Sequence, residues 1–530
     1  MKRRLIMSML TGVALLVSTF PGAAPARSAD IPAEFGADWH DPVTAAPPVD
    51  RPSGGSCHVT LAEAQFRDFT PYRGTYTPPK GCDDRWSKVV LRLDGKVKGR
   101  QFDRLGFVRV GGVEIFRTST PEPSPDGIGW SVEKDVTRYS DTFRGSRDVE
   151  MLIGNVVDDT YTGVIDVKVT LTFYAGKPAA APDRVLTLTD GATLTTPRNS
   201  ERVVAEVYAT GSGGGCEEYW YLTVPEEAPY SCRAEDGPYR EVQVRVDGRL
   251  AGIATPFPAV WTGGWSNPFL WYVIPGPRAF DVKPIEYDLT PFAGILNDGR
   301  PHHVEVSVVG VPEGRSGWST PVNVLVWRDA GRAVVPGKLL GSEAGDLLDA
   351  TVHTPGAEHR LDTEGGHRLT VAGYLDTSRG RVTTTVTRSL AHTSVHRWTD
   401  GETVDGLDAT WTDDEKITVD LRGRAVTTRT HRTYTMNGAT TLGADDRLRT
   451  VLTLGDRADA LTTRNGRRVA WSRLDDTYTG DATYTVGVPR DQRHAVGTTS
   501  ERYRLRGSGG CHDRRLTTVQ GVLTEDHADC

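Results

Sequence analysis

Three acidic clusters sit among Arg, Trp and Gly rather than on plain charged faces. The first, Gly99-Arg100-Gln101-Phe102-Asp103-Arg104, opens a strand that runs through Leu105, Phe107 and Val108. An Asp where a polar loop enters an apolar strand is partly desolvated, which moves its pKa toward that of a useful base or acid. The plainer alternative is an Asp-Arg pair that caps the strand. In the second cluster, Gly111-Gly112 reads as a hairpin turn, so Glu114 and Arg117 lie on the returning strand. Glu122 follows between Pro121 and Pro123, in a stiff extended loop able to hold a side chain still; alone, that loop also reads as a surface turn. The third cluster is Cys216-Glu217-Glu218-Tyr219-Trp220, after a flexible Gly-Ser run. A carboxylate beside Trp suits a sugar subsite, with hydrogen bonds for hydroxyls and a flat face for the ring.

Other chemistries find little support. The chain has no G-x-S-x-G elbow, H-E-x-x-H helix, P-loop, or G-x-G-x-x-G after a strand. Its 13 His are scattered, and His302 and His303 on one strand point to opposite faces, so neither a metal nor a cofactor is expected. Carboxylate chemistry remains, suited to hydrolysis of glycosidic bonds or amides. A net charge of -7 and the lack of any run of five basic residues argue against nucleic acid.

These clusters need a scaffold. At 530 residues the chain calls for several domains, and 57 Gly with 32 Pro are more than helical bundles tolerate. Lys2-Arg3-Arg4, the apolar run Leu5 to Phe20 and Ala24-Pro25-Ala26 read as a signal peptide over residues 1–29. The expected protein is therefore secreted, without stable membrane association after cleavage. Six Cys fall as local pairs, Cys57 with Cys82, Cys216 with Cys232 and Cys511 with Cys530; of fifteen connectivities, nearest-neighbour bridging fits export best.

Residues 30–54 read as an extended lead-in. Ile165, Val167, Val169, Leu171 and Phe173 then alternate with polar residues, as do Val242, Val244 and Val246 before the turn Asp247-Gly248. No sustained 3.6-residue stripe follows the signal peptide, although a short helix fits Lys338 to Leu348. Breaks at Gly176 to Asp183 and Arg328 to Gly337 divide an all-β chain into sandwiches over 55–178 and 183–330 and a Thr-rich β domain over 337–530. The last lacks the Trp-rich setting of the others and is expected to be accessory to the chemistry.

The stretch GRQFDRLGFVRVGGVEIFRTSTPEP, followed by GWSVEKDVTRY, GNVVDDTYTG, CEEYWY, PYREVQVRVDG and AFDVKPIEYDLTPF, resembles the peptide-N-glycosidase A family over roughly Val89 to Trp327. The resemblance implies a secreted amidase that cuts the bond between asparagine and the first N-acetylglucosamine of an N-glycan. The products are a glycosylamine and aspartate; the partners are N-glycosylated peptides and proteins. More distant F-type amidases imply that the two sandwiches are jelly rolls with the active site between them. Their key Asp opens a strand in Trp-Asp-Arg, which Phe102-Asp103-Arg104 resembles, and this makes Asp103 the principal carboxylate.

The resemblance departs at the assisting carboxylates. Where a Glu is expected near Val149 to Asn155, the chain offers Asn155, Asp158 and Asp159. Glu218 is preferred to Glu235-Asp236 for the other, with Glu122 as a further catalytic candidate. Strand alternation separates Asp103 from Arg104, favouring Arg117 for the oxyanion and leaving Arg104 and Glu114 as substrate or structural contacts. Trp130, Trp220, Trp265 and Trp271 are candidates for stacking on the sugar, with some of them expected in the core. A glycan-binding protein and a glycosidase cutting between sugars are the competing readings.

Overall fold

In a computed structural model the described residues are 31–530, except 82–84, 178–180, 213–215, 262–266 and 313–316. The expected signal peptide, Cys82 and Trp265 lie outside them. Residues 31–530 form one compact unit.

Alternation builds the first sandwich. Ile165, Val167 and Val169 are buried while Asp166 and Lys168 face solvent, so one face of the strand Ile165–Ala175 must be covered. Its sheet runs Ser56–Phe66, Ile165–Ala175, Trp86–Val97, Ile128–Asp135; the facing sheet runs Tyr72–Tyr76, Arg147–Ile153, Leu105–Val110, Val113–Ser119. First thus pairs with eighth, third with sixth, second with seventh and fourth with fifth, the order of a jelly roll. The expected turn forms at Gly111 and Gly112, whose φ angles of 57° and 81° suit the twist of a two-residue hairpin.

The second sandwich repeats the order. One sheet runs Thr193–Leu194, His302–Val309, Glu241–Val246, Arg249–Ala254, and the other Ile285–Asp288, Ser200–Val207, Val322–Arg328, Arg184–Thr187. His302 is buried and His303 exposed, as strand alternation requires. The only α-helix among the described residues is the single turn Ala293–Leu296.

From Gly337 onward the chain makes one eleven-stranded antiparallel sheet. The short helix expected over Lys338 to Leu348 does not form. Those residues belong to the strands Gly337–Ala344 and Leu348–Thr354, both paired with Glu358–Thr377. Ladder hydrogen bonds to an already formed strand outweigh the weak local preference of a stretch interrupted by Gly341 and Gly345. The sheet packs one face on the sandwiches. Tyr478 stacks on Trp271 with ring centres 4.9 Å apart, Trp411 meets Trp220 at 5.6 Å, and Arg388 donates to the Glu286 carbonyl at 3.2 Å.

Residues 31–55 carry no regular element and run extended across the third sheet and the second sandwich. Phe35 N donates to Ala495 O at 2.7 Å, His40 N to Gly521 O at 3.0 Å and Val43 N to Val273 O at 2.9 Å. Ala45 N donates to the Glu501 carboxylate at 2.8 Å. Bridges join Cys216 to Cys232 and Cys511 to Cys530 as expected. Cys57 is also disulfide-bonded, but its expected partner Cys82 is outside the described residues.

Glu501 and Asp476 lie side by side, each 3% exposed. Burial pushes Glu501 up to about 7, and burial with the Glu501 charge raises Asp476. Between the ordinary Glu range near 4.5 and about 7, the unfolded chain releases a proton that the folded one retains. Stability therefore falls as pH rises through that window and stays lower above it. Glu501→Gln keeps an acceptor for Ala45 and removes the titration. In urea unfolding at pH 5 and pH 8, it should abolish roughly 3 kcal/mol of wild-type pH dependence; an unchanged pH dependence would refute the pairing.

Candidate active site

The open end of the hairpin Leu105–Val110 and Val113–Ser119 places the first two acidic clusters together. Beyond the last ladder pair, Thr120 N donates to Arg104 O and Arg104 N to Thr120 Oγ1, both at 2.9 Å. Gly99 N donates to Ser124 O at 3.1 Å, closing the mouth. Gly99 sits at φ 99°, where an added Cβ would also lie 2.5 Å from Thr162 Oγ1, so this crossing requires glycine. Segments 99–104 and 120–124 thus face each other, with Asp103 on one and Glu122 on the other.

The two carboxyls interact. Burial and then the Asp103 charge push Glu122 up to about 8, opposed by the guanidinium groups of Arg490, Arg493 and Arg100. Glu122 keeps part of its surface open, so it is crowded by protein without being sealed from solvent. The prolines expected to hold its loop are both buried, and Ser119 N, three residues earlier, is tied to Ala279 O at 2.8 Å.

The third cluster reaches the same place through a tight turn over Glu217–Leu222. Glu217 is fully buried. It accepts from Arg240 Nε and Nη2 at 2.9 and 2.7 Å and from Trp318 Nε1 at 2.6 Å. This clamp fixes the turn and leaves the partly open Glu218 and Tyr219 beside it. Burial, then Glu218, then Asp103 hold the Tyr219 phenol far above its ordinary pKa, so Tyr219 is a hydrogen-bond donor near both carboxylates. Asp103 consequently lies within electrostatic reach of Glu122 on one side and of Tyr219 on the other.

Other expected contacts lie elsewhere. Arg117 and Glu114 are each 1% exposed and paired at 2.6 Å. Arg117 also donates to Tyr208 O at 3.1 Å, Thr210 Oγ1 at 2.6 Å and Ser319 Oγ at 3.1 Å. Four of its five N–H groups are used, three of them bracing the first sandwich against the second, and its burial leaves no open face for an oxyanion. Asn155 is buried, its amide donating to Phe66 O at 2.9 Å and Gly163 O at 3.1 Å. Exposed Asp158 accepts from Thr160 N and Tyr161 N, both at 2.7 Å, and these bonds lower its pKa. Both residues shape the loop beside Gln101, which donates to Val156 O at 2.8 Å. Arg104 donates to the Gln101 side chain at 3.2 Å. Trp130, Trp220 and Trp271 are core residues, at most 5% exposed.

Several neighbours escaped the sequence reading. Phe102 is 48% exposed and packs on Tyr161 with ring centres 5.1 Å apart, putting an open aromatic edge beside Asp103. Tyr219 could have been chosen from its place next to Glu218. Arg490 and Arg493 carry no local signal, because only the fold brings them near Glu122.

The family described as peptide N-acetyl-beta-D-glucosaminyl asparaginase amidase A matches residues 42–333. Peptide-N4-(N-acetyl-beta-glucosaminyl)asparagine amidase A of Prunus dulcis is 30% identical over 381 residues, which cover 64% of this chain and 66% of that protein. The chain thus spans just under two thirds of that relative's length. Two solved structures are similar at lower levels. PNGase F, a glycosylasparaginase from Flavobacterium meningosepticum, shows 12% identity and a TM-score of 0.36 over 52% of this chain and 96% of its own. PNGF-II shows 14% and 0.35 over 52% and 66%. Those two likenesses are too weak to transfer any residue. The family match spans more than half of the chain and includes all three acidic clusters that meet at Asp103. This protein belongs to the peptide N-acetyl-beta-D-glucosaminyl asparaginase amidase A family.

Proposed function

We propose that the protein hydrolyses the amide joining asparagine to the proximal N-acetylglucosamine of N-glycosylated peptides and proteins. The observation that carries this reading is the placement of Glu122, raised to about 8, within electrostatic reach of Asp103 at the open end of one hairpin of a family member. A carboxyl held protonated to about 8 can act as an acid near neutral pH beside a second carboxyl that serves as base. Asp103 takes a proton from water, whose oxygen adds to the side-chain carbonyl carbon. The Tyr219 phenol donates its one proton in a hydrogen bond to Glu218 and so fixes that carboxylate beside Asp103. Glu122 gives its proton to the sugar-bearing nitrogen and the C–N bond breaks. The water oxygen remains in the new aspartate, and the glycan leaves as a glycosylamine.

An exported protein fits this role. The N-terminal apolar run and the bridges Cys216–Cys232 and Cys511–Cys530 support secretion into an oxidising compartment. Among the described residues no helix is long and apolar enough to cross a membrane. Mass spectrometry of a treated glycopeptide tests the activity. The expected product is a peptide with Asn converted to Asp and the whole glycan released. A single retained N-acetylglucosamine would mean a glycosidase, and an unchanged glycopeptide that still binds would mean a lectin.

A further inference from the structure

The turn Arg490–Gln492 of the third domain lies within electrostatic reach of Glu122. The Arg490 guanidinium lies 4.4 Å over the Trp39 ring and 5.8 Å from that of Tyr272. Trp39 and Tyr272 are themselves stacked, with centres 3.9 Å apart and planes 4° from parallel. The lead-in that carries Trp39 also grips the loop that carries Glu122. Ser124 Oγ donates to Asp38, and Gly129 N donates to Asp41 at 2.8 Å. Arg490 Nη2 is enclosed and has no hydrogen-bond partner among the described residues. Such a buried donor costs stability unless its charge is used. The charged groups around Glu122 are Asp103 and Arg100 of the first sandwich and Arg490 and Arg493 of the third domain, with the Tyr272 and Tyr484 phenols nearby.

We propose that Arg490 is a positioning residue for Glu122: clamped on the Trp39–Tyr272 stack, it stabilises the carboxylate formed when Glu122 releases its proton, so the third domain and the lead-in complete the site. This rests on the reading of Glu122 as the acid. A cation near the conjugate base makes a stronger acid, and the same cation lowers the barrier to protonating the leaving nitrogen. Arg493, which packs on Tyr484 at 5.6 Å, adds charge from farther along the same turn.

The test is a difference proton titration that needs no turnover. Wild type is compared with Glu122→Gln, and Arg490→Met with the double variant, each pair isolating the Glu122 midpoint. In Arg490→Met that midpoint should move up by about one pH unit, whereas Arg490→Lys should hold most of the wild-type value. The alkaline limb of kcat/KM on a glycopeptide should move by the same amount, with turnover at pH 7 down roughly tenfold. An unchanged midpoint in a folded Arg490→Met protein overturns the proposal. Should Met prevent folding, Arg490→Gln is titrated in the same way. If wild type fails to convert Asn to Asp, the amidase reading falls, while the titration still decides whether Arg490 governs Glu122.

Discussion

Asp103→Asn is expected to lower turnover on a glycopeptide by about a hundredfold or more, the usual scale for a lost general base. The substitution preserves shape and hydrogen-bonding capacity, so glycopeptide affinity and melting temperature should change little. A purely structural Asp103, capping its strand beside Arg104, would give the opposite pattern. Stability would drop by roughly 1 kcal/mol with turnover nearly intact. Rate and melting temperature measured on one preparation separate the two outcomes. Near-normal turnover would move suspicion to Glu218.

Glu122→Gln should be comparably damaging, with a distinct pH signature. In the proposed role Glu122 acts as an acid only while protonated, and burial and the Asp103 charge hold it up to about 8. Wild-type kcat/KM should therefore fall as pH rises through that value. The Gln variant cannot donate a proton to the leaving nitrogen, so its activity should be about a hundredfold lower at pH 7 and should lose the alkaline limb near 8. Because a raised carboxyl pKa penalises the folded state above the unfolded value, the same variant should be more stable than wild type at pH 9. A rate loss without the stability gain would place the acid elsewhere; an intact rate at pH 7 would remove Glu122 from the chemistry.

The parts of this site that the sequence disclosed are those fixed by local geometry. Gly111-Gly112 demands a hairpin, and a hairpin brings the residues before Leu105 to those after Ser119, so Asp103 and Glu122 had to approach each other. Strict alternation at Ile165 to Phe173 and around Val242 likewise left little freedom in the sandwiches. Glu218 was legible from its motif, although only the Arg240–Glu217 clamp explains which of the two adjacent carboxylates stays open.

What remained hidden depends on pairings between distant segments. A tryptophan offers the same flat face to a sugar or to another ring, and Trp220 and Trp271 found Trp411 and Tyr478 of the third sheet. Arg117 had the right charge and spacing for an oxyanion, but its partners Tyr208, Thr210 and Ser319 come from the second sandwich. The Thr-rich third domain looked peripheral because its core residues are sparse in sequence. Its long strands instead gather them on one face, which presses on both the sandwiches and the lead-in.

Hydrolysis in heavy-oxygen water follows the attacking water and the scissile amide in one experiment. Wild type and Asp103→Asn are incubated with one N-glycopeptide, and the peptide and glycan products are weighed by mass spectrometry. Wild type is expected to release the complete glycan and to place one solvent oxygen in the new aspartate, while the variant forms this product at about one hundredth of the rate or less. A glycan released without conversion of Asn, a peptide that retains N-acetylglucosamine, or equal labelling rates in the two proteins would contradict that expectation.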